Sequence, residues 1–335
     1  MKVLFIGGTG NISLYITRLL AENPDYEVYL LNRGSKNKGI PANVRIITAD
    51  IHDENAARAA VGELEFDAVA DFIAFTVPDL ERDYRIFKGK TKQFIFISSA
   101  SAYQKPPVSF PITEDTPLIN PYWQYSRDKI ACEEYLLKLA REENFPVTIV
   151  RPSHTYSDEI NVLSLGGWAA LSRLQRGKTI IIPGDGTTLW TLTHSRDFAK
   201  AFAGLLGNAH TIGHTLHITS DHALTWNQIY ELHARELGVP LKAIHVSSEF
   251  ICRTHFSDMW GDLIGDKSNN GVFDNSKIKK VVPDFNASIR FDQGVKECVA
   301  RYLSDSELQK PDEEFDKWCD AVIRIYNEAI NELRR

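Results

Sequence analysis

Two tyrosine–lysine pairs in this sequence have a spacing that a proton-transfer site could use. Tyr125 and Lys129 lie in the segment YWQYSRDK, and Tyr84 and Lys88 lie in YRIFK. Residues four positions apart share one face of a helix, so each pair could point at a common neighbour. A lysine ammonium about 5 Å from a phenol, at an effective dielectric constant of about 20, favours the phenolate by roughly 3 kcal/mol. This is worth about two pKa units and brings a tyrosine closer to general-base chemistry at neutral pH.

Neighbouring residues distinguish the two pairs. Tyr84 and Lys88 precede the apolar run KQFIFISS and have no polar cluster beside them, so we predict a structural role for this pair. Tyr125 and Lys129 come after that run, which ends in the hydroxyl-rich stretch ISSASAY. The carboxyl ends of the strands face the ligand crevice in an open α/β sheet. We therefore predict that Tyr125 and Lys129 carry the chemistry.

The elements that must position these residues are short apolar runs separated by helical patterns. The runs include KVLFIGG, YEVYLLNRG, VRIITAD, FDAVADFIAF, KQFIFISS and FPVTIVRPS. Strands that are apolar throughout are typical of a parallel sheet covered by helices on both faces. One predicted helix starts near Pro121, with Asn120 as its cap, and ends near Glu143. The predicted fold class is α/β, a doubly wound parallel sheet (Rossmann) with a smaller mixed α/β substrate-binding domain.

The length of 335 residues favours two domains. We predict that residues 1–152 and 185–220 form the dinucleotide-binding Rossmann domain. Residues 153–184 and 221–335 are predicted to form the substrate-binding domain, because the alternation of strands and helices is looser there. The stretch TLHITS is expected to return the chain once to the main sheet.

The stretch GGTGNIS follows the first predicted strand and opens a helix, which is the context of a dinucleotide-binding turn. Gly7 permits the tight turn, and Gly10 lets the backbone approach a pyrophosphate, whose charge is favoured by free N–H groups at the helix start. Ser13 replaces the third glycine of the pattern, and we expect the site to persist in a slightly shifted form. The cofactor-binding residues predicted here are Gly7, Gly8, Thr9, Gly10, Asn11 and Ile12.

The choice of cofactor is predicted from LLNRGSKNK, which follows the second strand. An acidic residue there would bind the ribose of NAD, whereas an arginine accommodates the 2′-phosphate of NADP. The chain has Asn32 and Arg33, with Lys36 and Lys38 close by, so we predict that NADP is favoured and that NAD is the alternative. Further cofactor contacts are predicted at later strand ends and on the tyrosine helix: Asp50, Ile51, Phe72, Ile73, Ala74, Ser98, Pro152, Ser153, Tyr125 and Lys129.

The chain also contains the motifs FIFISSASAY, FPITEDTPLINPYWQYSRDK, VTIVRPS, GDGTTLWTLTHSRDFAKAF and FDNSKIKKVVPDF. Together with GGTGNIS, these motifs resemble the extended short-chain dehydrogenase/reductases, and in particular the NAD-dependent epimerase/dehydratase family, over roughly residues 1–305. The resemblance implies a catalytic triad of Ser99, Tyr125 and Lys129, with Ser98 and Ser101 as less favoured alternatives for the serine. It further implies that Lys129 binds the nicotinamide ribose, that the second domain holds the substrate, and that the chain can form a homodimer.

One departure from the family pattern bears on the substrate. Sugar-nucleotide members use an arginine after GDG to grip the substrate diphosphate, and this chain has Trp190 there. A neutral indole cannot pair with phosphate, so we expect a small sugar or polyol without a diphosphate. The predicted substrate-binding residues are Ser101, His154, Tyr156 and Trp190. The pattern is most similar to an atypical subgroup that includes epimerase-like, isoflavone-reductase-like and stem-loop RNA-binding proteins.

Composition and charge argue against several other classes of protein. The chain is 43% apolar and 24% charged, with a formal net charge of −6. The sequence has no long basic run, which argues against a nucleic-acid or membrane partner. Its four cysteines are far apart, so neither a metal site nor a disulfide framework is expected. Because no apolar run could span a bilayer and MKVLFIGGTG leaves no room for a signal peptide, a cytoplasmic location is expected.

The sequence therefore predicts an NAD(P)-dependent oxidoreductase of the epimerase/dehydratase type. Hydride transfer would occur at a hydroxyl or carbonyl group of a sugar or polyol, with Tyr125 as the acid–base group. The alternative is a non-catalytic protein that keeps the cofactor fold as a sensor or as an RNA-binding scaffold.

Overall fold

A computed structural model describes residues 1–35, 37 and 39–335 of the chain. Its strands within these residues are β1 (Lys2–Ile6), β2 (Glu27–Asn32), β3 (Arg45–Thr48), β4 (Ala68–Asp71), β5 (Phe94–Ile97), β6 (Val147–Pro152), β7 (His154–Tyr156), β8 (Ile180–Pro183), β9 (Leu189–His194), β10 (Thr215–Ile218), β11 (Ala223–Thr225) and β12 (Ala243–Val246).

Seven of these strands form one sheet in the order β10-β6-β5-β4-β1-β2-β3. All of its neighbouring strands are parallel. The chain places β2 and β3 on one side of β1 and then returns to place β4, β5 and β6 on the other side. Such a reversal of strand order opens a crevice at the carboxyl ends of the strands. The predicted doubly wound sheet is confirmed, and TLHITS returns to its edge as β10.

Helices cover both faces of this sheet. On one face, Ile16 and Phe202 belong to the same apolar cluster as Phe5 of β1. On the other face, Leu136 clusters with Leu4, whose side chain points the opposite way from that of Phe5. The helices are α1 (Ser13–Ala21), α2 (Glu54–Val61), α3 (Val77–Phe87), α4 (Gln124–Glu143), α5 (Gly167–Gln175), α6 (Ser195–Ala203), α7 (Trp226–Glu236), α8 (Ser248–Thr254), α9 (Ser276–Val281), α10 (Phe291–Ser304) and α11 (Glu313–Leu333).

The remaining strands form two small sheets, β11-β9-β7 and β12-β8. A second apolar core, which contains Trp226 and Tyr230, lies between these strands and the later helices. A π-helical segment at Trp260–Lys267 belongs to the same part of the chain. Strand β9 falls in the range 185–220 that was predicted for the Rossmann domain. It pairs instead with β7 and β11, and its Leu192 packs into the second core.

The cysteines are free thiols buried within the two parts of the fold: Cys132, Cys252, Cys298 and Cys319. Over the residues described, no helix is both long enough and apolar enough to cross a membrane. The same residues contain no group of three or more His, Cys, Asp and Glu side chains arranged to hold a metal ion.

Candidate active site

The turn between β1 and α1 is tight and internally braced. Gly7 has φ +78°, and a Cβ atom at this position would lie 2.4 Å from Ile73 Cγ2, so only glycine fits. The Ser13 hydroxyl accepts a hydrogen bond from the Gly10 N–H (2.9 Å) and donates one to the Gly7 carbonyl (2.7 Å). The residue that replaces the third glycine therefore holds the two ends of the turn together.

A cleft of about 410 Å³ extends from this turn along the carboxyl ends of the first strands. We call it the cofactor cleft. His52 and Asp79 also line it, and neither was identified from the sequence. Lys36 and Lys38, which supported the NADP prediction, lie outside the described residues. Eight of the predicted cofactor-binding residues line the cleft: Gly7, Thr9, Gly10, Asn32, Arg33, Asp50, Ile51 and Ile73.

The donors in this region suit an adenine dinucleotide. The N–H groups of Asn11 and Ile12, just ahead of α1, make no backbone hydrogen bond within the described chain. Such groups at a helix start attract a pyrophosphate. Asn32 Nδ2 is buried and has no partner among the described residues, so it is a donor that a bound ligand could satisfy. The residues of the cofactor cleft therefore fit a nicotinamide adenine dinucleotide.

Two predicted cofactor residues are packed in the core. The Phe72 ring lies edge-on to Phe5 and tilted against Phe202, with centroid distances of 5.6 and 5.7 Å. A Cβ atom on Gly8 would lie 2.3 Å from Leu30 Cδ2, so this glycine serves close packing onto β2. The Phe72 ring is therefore directed into the core and not into the cofactor cleft, whereas a backbone contact of Gly8 with the cofactor stays a prediction.

Two polar residues of the predicted set also have other partners. The Asn11 side chain accepts a hydrogen bond from the Ser157 hydroxyl (2.6 Å), which ties the glycine turn to the segment after β7. The Ser98 hydroxyl donates to Glu133, which forms a buried ion pair with Arg151. The Ser98 side chain therefore faces the interior, whereas the next residue of the ISSASAY stretch faces the crevice, as alternation along an extended chain requires.

A second cleft of about 360 Å³ lies at the carboxyl ends of β5 and β6. We call it the catalytic cleft. Phe75 lines the cofactor cleft and packs on Tyr125 of the catalytic cleft, with ring centroids 6.2 Å apart, so the two clefts meet at this contact. Seven predicted residues line the catalytic cleft: Ser99, Ser101, Tyr125, Pro152, Ser153, His154 and Trp190.

A chain of hydroxyl groups positions Ser99. Ser126 donates to the Ser101 hydroxyl (2.8 Å), and the Ser101 and Ser99 hydroxyls share a hydrogen bond of 2.9 Å. Asn120, predicted to cap the helix, is buried and instead donates to the carbonyls of Ser101 (2.8 Å) and Gly265 (2.7 Å). Helix α4 therefore starts later than predicted, because the asparagine joins three segments beneath the cleft.

The Lys129 ammonium is buried and held by two backbone carbonyls. Its Nζ donates to the carbonyl oxygens of Ala74 (2.7 Å) and Ile97 (2.8 Å). The ammonium lies 4.6 Å from the ring centroid of Phe75 and 5.8 Å from that of Tyr125. Burial lowers the pKa of Lys129 to about 8. Lys129 thus connects the loop after β4 to β5 at the junction of the two clefts.

The pKa of Tyr125 lies above its ordinary value, which corrects the expectation from the sequence. Burial is the largest cause, a hydrogen bond with Ser99 opposes it, and the Asp266 carboxylate adds to the rise. Lys129 was predicted to lower the pKa of Tyr125. This effect does not prevail, because the ammonium is directed at two carbonyls and the phenol is desolvated.

Tyr156, predicted to bind substrate, lies in the second core and not in the catalytic cleft. Its ring contacts His194 and Phe291 edge-on, with centroids 5.0 and 5.2 Å away. Gly294 of α10 admits the ring, since a Cβ atom there would lie 2.2 Å from the phenol oxygen. Because the Tyr156 ring is packed in this apolar core, the prediction that it binds substrate is corrected.

His154 and Trp190 form part of the wall of the catalytic cleft. Trp190 Nε1 donates to His154 Nδ1 (3.3 Å), and the indole stacks on Trp226 with centroids 5.4 Å apart. Burial lowers the pKa of His154 to about 3 and the Lys267 ammonium acts in the same direction, so the imidazole is a neutral acceptor. The Trp190 indole also borders a neighbouring cavity of about 650 Å³.

Four charged residues of the catalytic cleft were not identified from the sequence: Lys105, Asp262, Asp266 and Lys267. Lys105 is paired with Asp266 at 2.9 Å, and Lys267 with Asp262 at 2.7 Å. Lys105 comes from the loop after β5, and the others come from the π-helical segment. Lys105 and the π-helical segment are far apart in the sequence, so no spacing pattern could have predicted that they meet in one cleft.

The other tyrosine–lysine pair lies on the surface, in line with its predicted structural role. Tyr84 Oη and Lys88 Nζ both bond to Glu143 at the end of α4, at 3.4 and 3.0 Å. The Lys88 side chain is 56% exposed. This pair provides a matched control for the pair in the catalytic cleft.

Comparisons with known sequences agree with this geometry. The model of the NAD dependent epimerase/dehydratase family matches residues 3–85 and 83–218. The chain is 27% identical to 2′-dehydrokanamycin reductase of Streptomyces kanamyceticus over 290 residues, which are 85% of this chain and 80% of that protein. It is 26% identical to the chloroplast stem-loop binding protein of 41 kDa b of Arabidopsis thaliana over 252 residues, which are 71% of this chain and 64% of that protein.

Solved structures share the fold. An epimerase from Methanothermobacter thermautotrophicus superposes with a TM-score of 0.76 at 16% identity, covering 92% of this chain and 94% of that one. The UDP-glucuronic acid 4-epimerase of Bacillus cereus, solved with NAD, superposes with a TM-score of 0.73 at 17% identity, covering 92% of this chain and all (100%) of that one. With most of the chain matched by the family model, the protein belongs to the NAD-dependent epimerase/dehydratase family and is an NAD-dependent enzyme with a Rossmann fold.

Proposed function

We propose that this protein is an NAD(P)-dependent oxidoreductase of the epimerase/dehydratase type, acting on a hydroxyl or carbonyl group of a sugar or polyol. When bound, the nicotinamide would supply the hydride acceptor or donor. The observation that supports this most strongly is the contact of Phe75 with Tyr125, at which the cofactor cleft meets the catalytic cleft. A substrate oxygen beside Tyr125 would therefore lie next to the cofactor.

In this proposal Tyr125 takes the hydroxyl proton during oxidation and returns it during reduction. Ser99, held by the Ser101 hydroxyl, donates a hydrogen bond to the substrate oxygen. Because the pKa of Tyr125 is raised, the phenol rests in its acid form and is ready to protonate a carbonyl oxygen, and in the oxidation direction it first loses this proton to solvent. Lys129, with a pKa of about 8, remains largely protonated at neutral pH. It would hold the nicotinamide ribose, and its charge would favour the phenolate that is left when Tyr125 gives its proton to the substrate.

We infer that NADP is preferred to NAD. Arg33 is exposed and lines the cofactor cleft directly after Asn32, which takes the place of an acidic residue at the end of β2. A guanidinium binds a phosphate in a bidentate manner, and no carboxylate at that strand end would repel the 2′-phosphate.

The proposed substrate is a sugar or polyol without a diphosphate. Trp190 supports this choice because its indole is neutral and its Nε1 is already bonded to His154. One relative is a 2′-dehydrokanamycin reductase, so 2′-dehydrokanamycin serves as a cationic comparison probe beside the neutral sugars and polyols. Whether the reaction ends in epimerisation, dehydration or net reduction follows from whether the cofactor exchanges after each turnover. The homodimer implied by the resemblance remains a prediction.

The test compares Tyr125→Phe with Tyr84→Phe as its matched surface control. Turnover is followed by the absorbance of reduced nicotinamide, with 2′-dehydrokanamycin plus NADPH and with a panel of free sugars and polyols plus NADP⁺. We expect Tyr125→Phe to lower kcat/KM by roughly 10²–10⁴-fold, the usual worth of a general acid–base group. Tyr84→Phe should leave it unchanged. Equal activity of wild type and Tyr125→Phe would contradict the proposed role.

A non-catalytic sensor or RNA-binding scaffold is the second candidate, and the similarity to a stem-loop binding protein is the observation that favours it. The net charge of −6 argues against it, because RNA affinity depends on neutralising phosphates. An RNA hairpin titrated at near-physiological salt distinguishes the two. Saturable hairpin binding by a chain without turnover would favour the scaffold.

A further inference from the structure

We propose that the buried ion pair Lys105–Asp266 recognises the substrate and selects an uncharged ring that carries two adjacent hydroxyl groups. This inference rests on the proposed function, since it places the ring beside Tyr125. Beyond the proposed function, the inference names the residues that determine substrate specificity and the arrangement of hydroxyl groups that the substrate ring must carry.

The pair is buried but is not satisfied by the protein. Lys105 Nζ lies 2.9 Å from Asp266 Oδ1, and the two side chains are 2% and 17% exposed. An ammonium has three donors and a carboxylate about four acceptor sites. Among the described residues, Asp266 is the only carboxylate paired with this ammonium. A buried ion pair is costly unless its other donors and acceptors also find partners, and both residues line the catalytic cleft, where a ligand can supply them.

The chemistry of the pair favours neighbouring hydroxyls. A phosphate or carboxylate would be attracted by Lys105 and repelled by Asp266, and an amine would meet the reverse. Two adjacent hydroxyls suit both, because one oxygen accepts from the ammonium while the next hydroxyl donates to the carboxylate. The pair Lys267–Asp262 at 2.7 Å repeats this combination in the same cleft, so the four charges sum to zero.

Aromatic side chains give this cleft the walls that a saturated ring needs. Trp123, Trp190 and Phe273 line it together with the ion pair. Lys105 Nζ lies 6.0 Å from the Trp190 ring centroid, so the charged and apolar parts of the site adjoin. Asp266 is close enough to Tyr125 to raise the pKa of the phenol. A ring held by the ion pair therefore presents another of its hydroxyls to Tyr125.

The test measures equilibrium binding, which does not depend on turnover. Ligand-observed NMR titrations of the full chain with NADP⁺ use myo-inositol as the neutral ring and cyclohexanol as the ring with a single hydroxyl. Glucose 1-phosphate serves as the anionic probe and glucosamine as the cationic probe. We expect wild type to bind myo-inositol more tightly than each of the other three, by about tenfold, since charge-assisted hydrogen bonds are lost or opposed in each case.

Variants of the pair should change charge selectivity in opposite directions. Asp266→Asn leaves the Lys105 ammonium without its counterion. This variant should bind myo-inositol more weakly and glucose 1-phosphate more tightly than wild type does, each by about tenfold. Lys105→Met should instead bind glucosamine more tightly than wild type does. Lys310→Met removes an ammonium from the exposed pair with Glu307, whose side chains are 65% and 71% exposed, and should change no affinity. Affinities that do not differ between wild type and both variants of the pair would overturn the inference, as would tighter binding of glucose 1-phosphate than of myo-inositol to wild type.

A double variant decides the matter if the single variants fail to fold. Lys105→Gln with Asp266→Asn removes both charges and keeps a donor and an acceptor, so it should fold, bind myo-inositol within about tenfold of wild type, and lose the rejection of glucose 1-phosphate. A double variant that still rejects the anion would overturn the inference. NADP⁺ affinity is measured in parallel and should be the same in all variants. Failure of wild type to bind both NADP⁺ and NAD⁺ would contradict the proposed function, whatever the ring-binding result.

Discussion

The buried ammonium of Lys129 should leave a signature in the pH dependence of stability. Burial lowers the pKa of this group from its ordinary 10.5 to about 8, a difference of 10.5 − 8, or about 2.5 pH units. At about 1.36 kcal/mol per pH unit, this corresponds to roughly 3 kcal/mol. Between these two pKa values the unfolded chain binds one more proton than the folded chain. The free energy of unfolding therefore rises with pH through this window, and below it the folded chain bears the full cost of burying the charge.

Lys129→Met isolates this contribution because methionine does not titrate. The substitution also removes the hydrogen bonds to the carbonyls of Ala74 and Ile97, each worth about 1 kcal/mol. That loss does not depend on pH, so the slope and not the absolute stability is diagnostic. We expect the difference in free energy of unfolding, wild type minus Lys129→Met, to increase by roughly 3 kcal/mol between about pH 7.5 and about pH 10.5.

Urea unfolding of the full chain without added cofactor, followed by tryptophan fluorescence at several pH values, measures this difference. Lys88→Met is the control. Its ammonium is exposed, and hydrogen bonds with Tyr84 and Glu143 raise its pKa, so wild type should not gain on this variant as pH rises. Parallel pH curves for wild type and Lys129→Met would refute the reasoning, because they would mean that the ammonium is not desolvated in the folded chain.

Three further outcomes are expected. Arg33→Ala should weaken NADPH binding by about tenfold while changing NADH binding little, because one charge-assisted contact to the 2′-phosphate is lost. Fluorescence titrations measure both affinities, and an equal loss of NADPH and NADH binding would contradict the NADP preference. Ser13→Ala removes the hydroxyl that closes the glycine turn and should lower the free energy of unfolding by about 1–3 kcal/mol, whereas unchanged urea unfolding would mean that the bond is dispensable. Burial, and then the Asp71 carboxylate, raise the pKa of Asp83, so stability that is full below the ordinary aspartate pKa declines as pH rises through the raised value. Asp83→Asn should abolish that decline, and an unaltered pH profile of urea unfolding would show that burial does not raise the pKa of Asp83.

The sequence was most informative where the backbone repeat itself places the side chains. Tyr125 and Lys129 lie on one helix face because residues four apart always do, and the context of Gly7 correctly predicted a strand–turn–helix unit. The same local reasoning could not assign Ser98 and Tyr156 correctly. Whether a side chain at a strand end faces a cleft or a core depends on which segment packs over it, and that segment is distant in the chain.

Taken by itself, the sequence determined the doubly wound sheet, the glycine turn after its first strand and the tyrosine–lysine helix, because apolar periodicity and residue spacing are local properties of the chain. Only the tertiary structure decided the charges of the catalytic cleft, where Lys105 meets Asp266 from another part of the chain. It also decided the direction in which the pKa of Tyr125 moves, since burial by distant segments outweighs a neighbour four residues away. Desolvation and long-range contacts arise from packing, and no short stretch of sequence encodes them.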